Sequence, residues 1–365
     1  MTAFVESCVE TVTGQAQKVE KRTRRHPRAR QLLRLLANKK NILITAHEHP
    51  DPDALASSLA LCYLLTAKLP DAKIGVSVKG NIGGGLNQTF ADLINLKPIP
   101  WEEVVLSAYD AIVLIDTQPT FSNSPLPPGT LPTAVIDHHR GPRTQPKCGF
   151  CDIRSDVGAA ASIIFNYFME LEHPISRDIG AMLLFAIESD LAGAAGQPGE
   201  LDNMALASLT LIADTAKLYK MRYVDLPQSY YVAYAAGLNN AVYFDHALIS
   251  HLDAIQSPEK PALIADFLLR FDQAQWALVT AVYGSSLVMS VRTNSDTHSA
   301  ADLVRRMVRG IGEGGGHRTK AGGNIKLQSD APAEIDRLRD TLRRRYLRAL
   351  NIQGTRGQRL VPAKA

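Results

Sequence analysis

The chain has 365 residues, 45% of them hydrophobic and 21% charged, and a formal charge of +4 from 40 basic and 36 acidic side chains. At about 150 residues per domain this length predicts two globular domains, each able to bury a core. The composition excludes a disordered, collagen-like or coiled-coil chain, and four cysteines exclude a disulfide scaffold. No apolar run approaches the roughly 20 residues of a membrane span. The opening MTAFVESCVETVTG has early acids and no apolar segment of a signal peptide. A reducing, cytoplasmic setting without membrane contact is therefore expected.

Residues 1–40 read as a polar helical arm. Its second half is basic (Lys18, Lys21, Arg22, Arg24, Arg25, Arg28, Arg30, Arg34), and Leu32, Leu33, Leu35 and Leu36 supply an apolar patch. A solvated helix docked by its leucines is expected ahead of a nucleic-acid contact. From residue 41 short apolar runs alternate with helical spacing. Strand Asn41–Ala46 is followed by a polar turn and helix Ala54–Leu65. Strands Lys73–Val78, Ala111–Ile115 and Thr133–Ile136 come next. Phe150–Ile153 then leads into the helical stretch Gly158–Leu171 and the buried helix Ile179–Ile187. This alternation predicts an α/β domain over 41–200, its mostly parallel sheet flanked by helices. Residues 201–239 read as a helical connector. The texture then changes to paired strands, Ala277–Tyr283 and Ser286–Arg292, joined at Gly284-Ser285. Helix Ser299–Arg309, the glycine-rich stretch Gly310–Gly316, strand Gly322–Leu327 and an arginine-rich amphipathic helix Ala333–Leu350 follow. They predict a smaller α+β domain over 240–350, and a disordered tail over 351–365.

The chemistry collects where apolar runs end. The first run ends in His47-Glu48-His49-Pro50-Asp51-Pro52-Asp53, the second in Asp116 and the third in Asp137-His138-His139, while Asp190 follows MLLFAIES. In open parallel sheets ligands bind at the carboxyl ends of strands. Four carboxylates drawn together there could not all stay ionised without compensation, and divalent cations are the obvious source of it. Mixed Asp/His ligation suits Mn²⁺ or another first-row ion better than Ca²⁺, with Mg²⁺ as the alternative. Two such ions about 3.5–4 Å apart are a standard apparatus for phosphoester hydrolysis.

His47-x-x-Pro-Asp51-x-Asp53-Ala, a strand ending in Asp116, the Asp137-His138-His139 triplet and Asp190 resemble, in order, the four motifs of the DHH phosphoesterases. Ser290-x-Arg292 with Gly314-Gly315-Gly316-His317 resembles the DHH-associated C-terminal domain of the same enzymes. The pattern is most similar to the nanoRNase and pAp phosphatase branch, related to RecJ, and covers roughly residues 41–350. The resemblance implies one metal on His47, Asp51 and Asp116, and a second on Asp53, Asp116, His138 and Asp190. It implies that His139 faces the scissile phosphate, that Asp137 orients the histidines, and that Arg292 and Gly314, Gly315, Gly316 and His317 grip the nucleotide. The implied enzyme has its active site in the cleft between two domains. It hydrolyses short oligoribonucleotides, or 3′-phosphoadenosine 5′-phosphate (pAp), through a hydroxide activated by two metals, and a homodimer is compatible with it. The alternatives are a cyclic dinucleotide phosphodiesterase and, from another class, a nucleic-acid-binding module with a dead metal site. Pyrophosphatase is a weaker option. A retired site should have lost a ligand, and none of the six is missing.

The family pattern usually has glycine where this chain has Pro52 and Ala56, and often a hydroxyl where it has Ala159-Ala160. His49, between two ligands, is expected to face solvent or to support its neighbours. Cys148-Gly-Phe-Cys151 has no second pair nearby and reads as two incidental thiols. The arginines of the last helix, with Tyr346 as the one interleaved aromatic, read as a solvated face and not an RNA track.

Overall fold

The computed structural model describes residues 27–80, 82, 86–141, 146–192, 198–295, 297–316, 318–353 and 356–362. The basic residues before position 27 and His317 lie outside these. The chain forms two compact units that divide at Val224/Asp225.

The first unit opens with α1 (Arg28–Leu36), the described part of the expected arm. Its N-terminal amides at Ala29 and Arg30 donate to the carboxylate of Glu170, both at 2.9 Å. A negative group at a helix N-terminus offsets the helix dipole and satisfies donors that have no partner within the helix. Leu32 and Leu36 are buried, as the apolar patch predicts. Next come β1 (Asn41–Ala46), α2 (Pro52–Lys68), β2 (Lys73–Val78), α3 (Leu86–Leu93), β3 (Ile99–Pro100), β4 (Ala111–Ile115), β5 (Ala134–Asp137) and β6 (Phe150–Ile153). Helices α4 (Ala160–Glu170), α5 (Arg177–Leu191), α6 (Glu200–Ile212) and α7 (Thr215–Arg222) complete the unit. The six strands pair in the order β3-β2-β1-β4-β5-β6, all parallel. Strand β4 shows why its run is apolar throughout. Val113 and Ile115 join the large core on one face, and Ile112 and Leu114 join a smaller cluster with Val135 and Leu126 on the other. The order reverses between β1 and β4, which makes their carboxyl ends the topological switch point of the sheet.

The expected connector over 201–239 is not a separate element. Leu201, Ala205, Leu209, Leu218 and Met221 complete the core of the first unit, so α6 and α7 belong to it. Helix α8 (Gln228–Asn239) belongs to the second unit, where Ala233 is buried in its core.

The second unit continues with β7 (Val242–Phe244), β8 (Ala247–Ala254), α9 (Lys260–Leu268), β9 (Trp276–Tyr283), β10 (Ser286–Thr293), α10 (Ala300–Val308), β11 (Glu313–Gly316), β12 (Lys320–Lys326), α11 (Pro332–Ala349) and β13 (Gln358–Arg359). Its sheet runs β11-β12-β10-β9-β8-β7-β13 and is mixed, with β8 and β9 parallel across α9. The hairpin falls at Gly284-Ser285, with Gly284 at φ 56° as a two-residue turn led by glycine requires. One expectation is corrected here. The tail is not wholly disordered, because β13 pairs with β7 and Ile352 is buried. Cys148 and Cys151 stand side by side, their Cα atoms 6.3 Å apart. Among the described residues no helix is long and apolar enough to cross a membrane.

Candidate metal centre

Each aspartate and histidine of the centre is placed by the element it terminates or opens. His47 follows β1. Asp51 caps α2, accepting the Ala54 amide at 3.1 Å, and Pro52 occupies the first helical turn, where its lack of an N–H costs nothing. The proline thus fixes the backbone between two carboxylates. Asp53, in the first turn of α2, is 1% exposed. Its carboxylate accepts the amides of Ala160 at 2.7 Å and Ala161 at 2.8 Å, at the start of α4. Ala160 and Ala161 thus act on Asp53 through their backbone amides. Asp116 ends β4 with φ 57°, a left-handed conformation that aspartate tolerates better than most residues. Its amide donates to the Ile136 carbonyl at 2.9 Å, which ties the turn to β5. His138 follows β5, and Asp190 lies in the last turn of α5.

Two groups of ligand atoms meet at Asp116. His47 Nε2 lies 3.5 Å from Asp116 Oδ2 and 3.9 Å from Asp51 Oδ1. His138 Nε2 lies 3.2 Å from Asp116 Oδ1, 3.3 Å from Asp190 Oδ2 and 3.9 Å from Asp53 Oδ2. Within His47/Asp51/Asp116 and within Asp53/His138/Asp190 the ligand atoms lie within 4.8 Å of one another, and the same holds for Asp116/His138/His139. Burial alone would lower the imidazoles of His47 and His138, but the carboxylates around them, Asp116 foremost, hold both well above the ordinary histidine range. Burial, with the charges of Asp116 and Asp190, pushes Asp53 well above the carboxylate range. Burial opposes the ionisation of Asp116, and His138, His47 and His139 outweigh it, so that Asp116 stays well below that range. Without a cation the cluster holds protons in its place, and metal binding at such sites releases them. Asp116 Oδ1 and His138 Nε2 are also buried without a hydrogen bond, 3.2 Å apart. Unbonded buried polar atoms are costly. A divalent cation between them would satisfy both, so the residues present fit the metals that the motifs imply.

His139 is held differently. Its Nδ1 is 2.7 Å from Asp137 Oδ1, and its ring meets Phe121 edge-on at 6.3 Å. Asp137 is fully buried and also accepts the amides of His138 at 2.9 Å and His139 at 3.2 Å. Its second oxygen accepts from Gln118 Nε2 at 2.8 Å. Sequence reasoning passed over Gln118; the signal was a glutamine two positions beyond a strand-end aspartate. His49 is exposed, as expected.

In the second unit Arg292 lies on β10, its Nε 2.7 Å from Asp266 and its Nη1 2.7 Å from the Ser290 hydroxyl. It lines a pocket of about 320 Å³ with Ser290, Gly316, Lys320 and Gly322. Gly314 and Gly315 are not among the lining residues, and the stretch is not an open loop. Glu313–Gly316 pairs as an edge strand with β12, and a Cβ on Gly314 would overlap Val304 of α10. Close packing against a helix explains that glycine.

The family profile described as DHH family, N-terminal domain matches residues 41–187, from β1 into α5. Residues 41–187 are a DHH-family N-terminal domain. The DHH domain thus carries every residue of the centre except Asp190, three positions beyond the match. An uncharacterized protein of Methanocaldococcus jannaschii is 29% identical over 320 residues, 86% of this chain and 64% of that protein. A probable manganese-dependent inorganic pyrophosphatase of Lactobacillus johnsonii is 28% identical over 176 residues, 47% of this chain and 54% of its own length. The chain spans between half and two thirds of the length of these curated relatives. Among solved structures, an exopolyphosphatase-related protein of Bacteroides fragilis has the same fold, with TM-score 0.70 at 15% identity over 89% of this chain and 97% of that one.

Proposed function

We propose that this chain is a metal-dependent phosphoesterase acting on short oligoribonucleotides or on pAp. The reading is carried by one observation: the meeting at Asp116 of two groups of carboxylates and imidazoles whose ligand atoms lie within 4.8 Å of one another. Such a cluster needs cations from outside the chain. His47, Asp51 and Asp116 would hold one, and Asp53, Asp116, His138 and Asp190 the other, with Mn²⁺ first and Mg²⁺ second. When bound, a pair of such ions polarises a phosphoryl oxygen and activates water. Similarity to a probable manganese-dependent pyrophosphatase supports the choice of ion.

The chain's own residues do the rest. Asp116 offers one oxygen to each group and so sets their separation. Asp53 is fixed by the amides of α4, which keep its carboxylate aimed while α4's positive end steadies its charge. His139, with Nδ1 committed to Asp137, faces the scissile phosphate through Nε2. In the second unit, Arg292 and Lys320 line a pocket suited to a phosphate or nucleotide.

A hydrolysis panel with Mn²⁺ tests the reading. Turnover of pAp or of di- to pentaribonucleotides is expected to exceed that of cyclic dinucleotides and pyrophosphate. Preference for a cyclic dinucleotide would move the substrate assignment. Metal binding without hydrolysis of any member would overturn the enzymatic reading.

A further inference from the structure

We infer that Gln118 is a positioning residue for His139, acting through Asp137; the inference rests on the phosphoesterase reading for its kinetic consequence but not for its structural one. Gln118 is 1% exposed. Its Nε2 donates to Asp137 Oδ2 at 2.8 Å and to the His139 carbonyl at 3.1 Å. The amide orientation is fixed by chemistry, since a carboxylate and a carbonyl can only accept. Asp137 is thereby held at both oxygens, one by Gln118 and the other by the amides and ring of the two histidines. A carboxylate held at one oxygen could rotate. Held at both, it keeps Oδ1 against His139 Nδ1 and fixes the imidazole as the tautomer with its proton on Nδ1.

A neutral donor suits this task better than a charged one. An arginine or lysine on Oδ2 would draw charge from the carboxylate and weaken its hold on the imidazole. The carboxamide fixes Asp137 and leaves its full negative charge directed at the ring. The loop after His139 is shaped around that amide. Gly141 lies directly against it, and a Cβ there would overlap Gln118 Oε1. Gly141 is exposed and outside the left-handed region, so space for the glutamine is what alanine would violate there. Phe121, whose amide donates to the Gln118 carbonyl at 3.0 Å, sets its ring against His139 from the same turn.

The test uses the full chain loaded with Mg²⁺, which is diamagnetic, and reads the ring nitrogens of ¹⁵N-labelled histidine by NMR. Wild-type His139 is expected to show the Nδ1–H tautomer. Gln118→Met, similar in shape but without a donor, is expected to give a mixture of tautomers. It should lower kcat about 10- to 100-fold on the best substrate of the panel, with KM within about twofold and metal content retained. Gly141→Ala changes an exposed position and serves as the second variant, with the same nitrogen signature and a smaller loss of kcat. An unchanged His139 pattern in both variants would overturn the inference. So would loss of metal in step with kcat, which would make Gln118 a support of the whole centre. If the wild type cut no member of the panel, the nitrogen pattern alone would still decide the role of Gln118.

Discussion

Asp152 and Asp116 are both buried carboxylates of the DHH domain, and their surroundings differ in kind. Asp152 is answered by the chain itself: Arg154 forks onto it at 2.9 and 2.8 Å, Tyr167 donates at 2.8 Å and Arg28 stands 3.6 Å away. Burial would raise its pKa, and Arg154 with Tyr167 and Arg28 brings it below the usual range. Asp116 pairs with three imidazoles, those of His47, His138 and His139, and three further aspartates lie in the neighbouring ligand groups. The first cluster is closed electrostatically by two guanidinium groups and a phenol. The second gathers aspartates around imidazoles, which is the arrangement the proposed cations would answer. Buried acid alone therefore does not separate the two clusters; what surrounds it does.

The largest expected effect comes from Asp116→Asn, which keeps the size and the tolerance for left-handed backbone but removes the charge. Turnover should fall on the order of 10³-fold or more, about 4 kcal/mol of transition-state stabilisation, with metal content falling in parallel. Near wild-type turnover would end the two-metal reading. Asp152→Asn should do the opposite. It leaves Arg154 without its anion and should cost about 3–4 kcal/mol in denaturant unfolding, with metal stoichiometry unchanged. Metal loss there equal to that of Asp116→Asn would erase the contrast between the two clusters.

A half-buried histidine of the second unit sharpens the comparison. His251 is pushed down to about 4 by burial and by Arg339 and Arg343, against the weaker pull of Asp340 and Asp336. In the unfolded chain it titrates near the ordinary value of about 6.5. Between these values the unfolded chain binds the extra proton. This contribution is therefore full above about pH 6.5 and is lost as pH falls towards 4, on the order of 3 kcal/mol in all. Urea unfolding of His251→Gln should show a flatter profile across that window, and an unchanged slope would remove His251 as its source. The smallest effect separates two neighbours. His138→Ala should lower metal content and turnover together, while His139→Ala should lower turnover about 10- to 100-fold with metal nearly intact. Equal metal loss in both would mean that His139 is a ligand.

The parallel sheet and the residues of the centre were legible because chemistry and periodicity coincide there. An apolar run of five or six residues that stops at Asp or His marks both a strand and its functional end, as in Ala111–Ile115 before Asp116. What was not legible depends on distant partners. Glycines 314 to 316 have loop composition, and only pairing with β12 and packing under Val304 make them a strand. Strand β13 exists because β7 offers it an edge. The division at Val224 follows from which core Leu218 and Met221 enter, a choice that local spacing does not encode. Gln118 was missed because a buried carboxamide looks like any polar loop residue until the carboxylate it holds is in view.

The backbone of Asp116 limits how this centre can change over evolutionary time. At φ 57° a β-branched side chain would be strained, whereas asparagine and glycine enter that region readily. Substitutions at 116 are thus sorted first by conformation and only then by chemistry. The route by which such a domain could lose its metals and keep its fold runs through those two residues, and the codons GAT and GAC each lie one base from both.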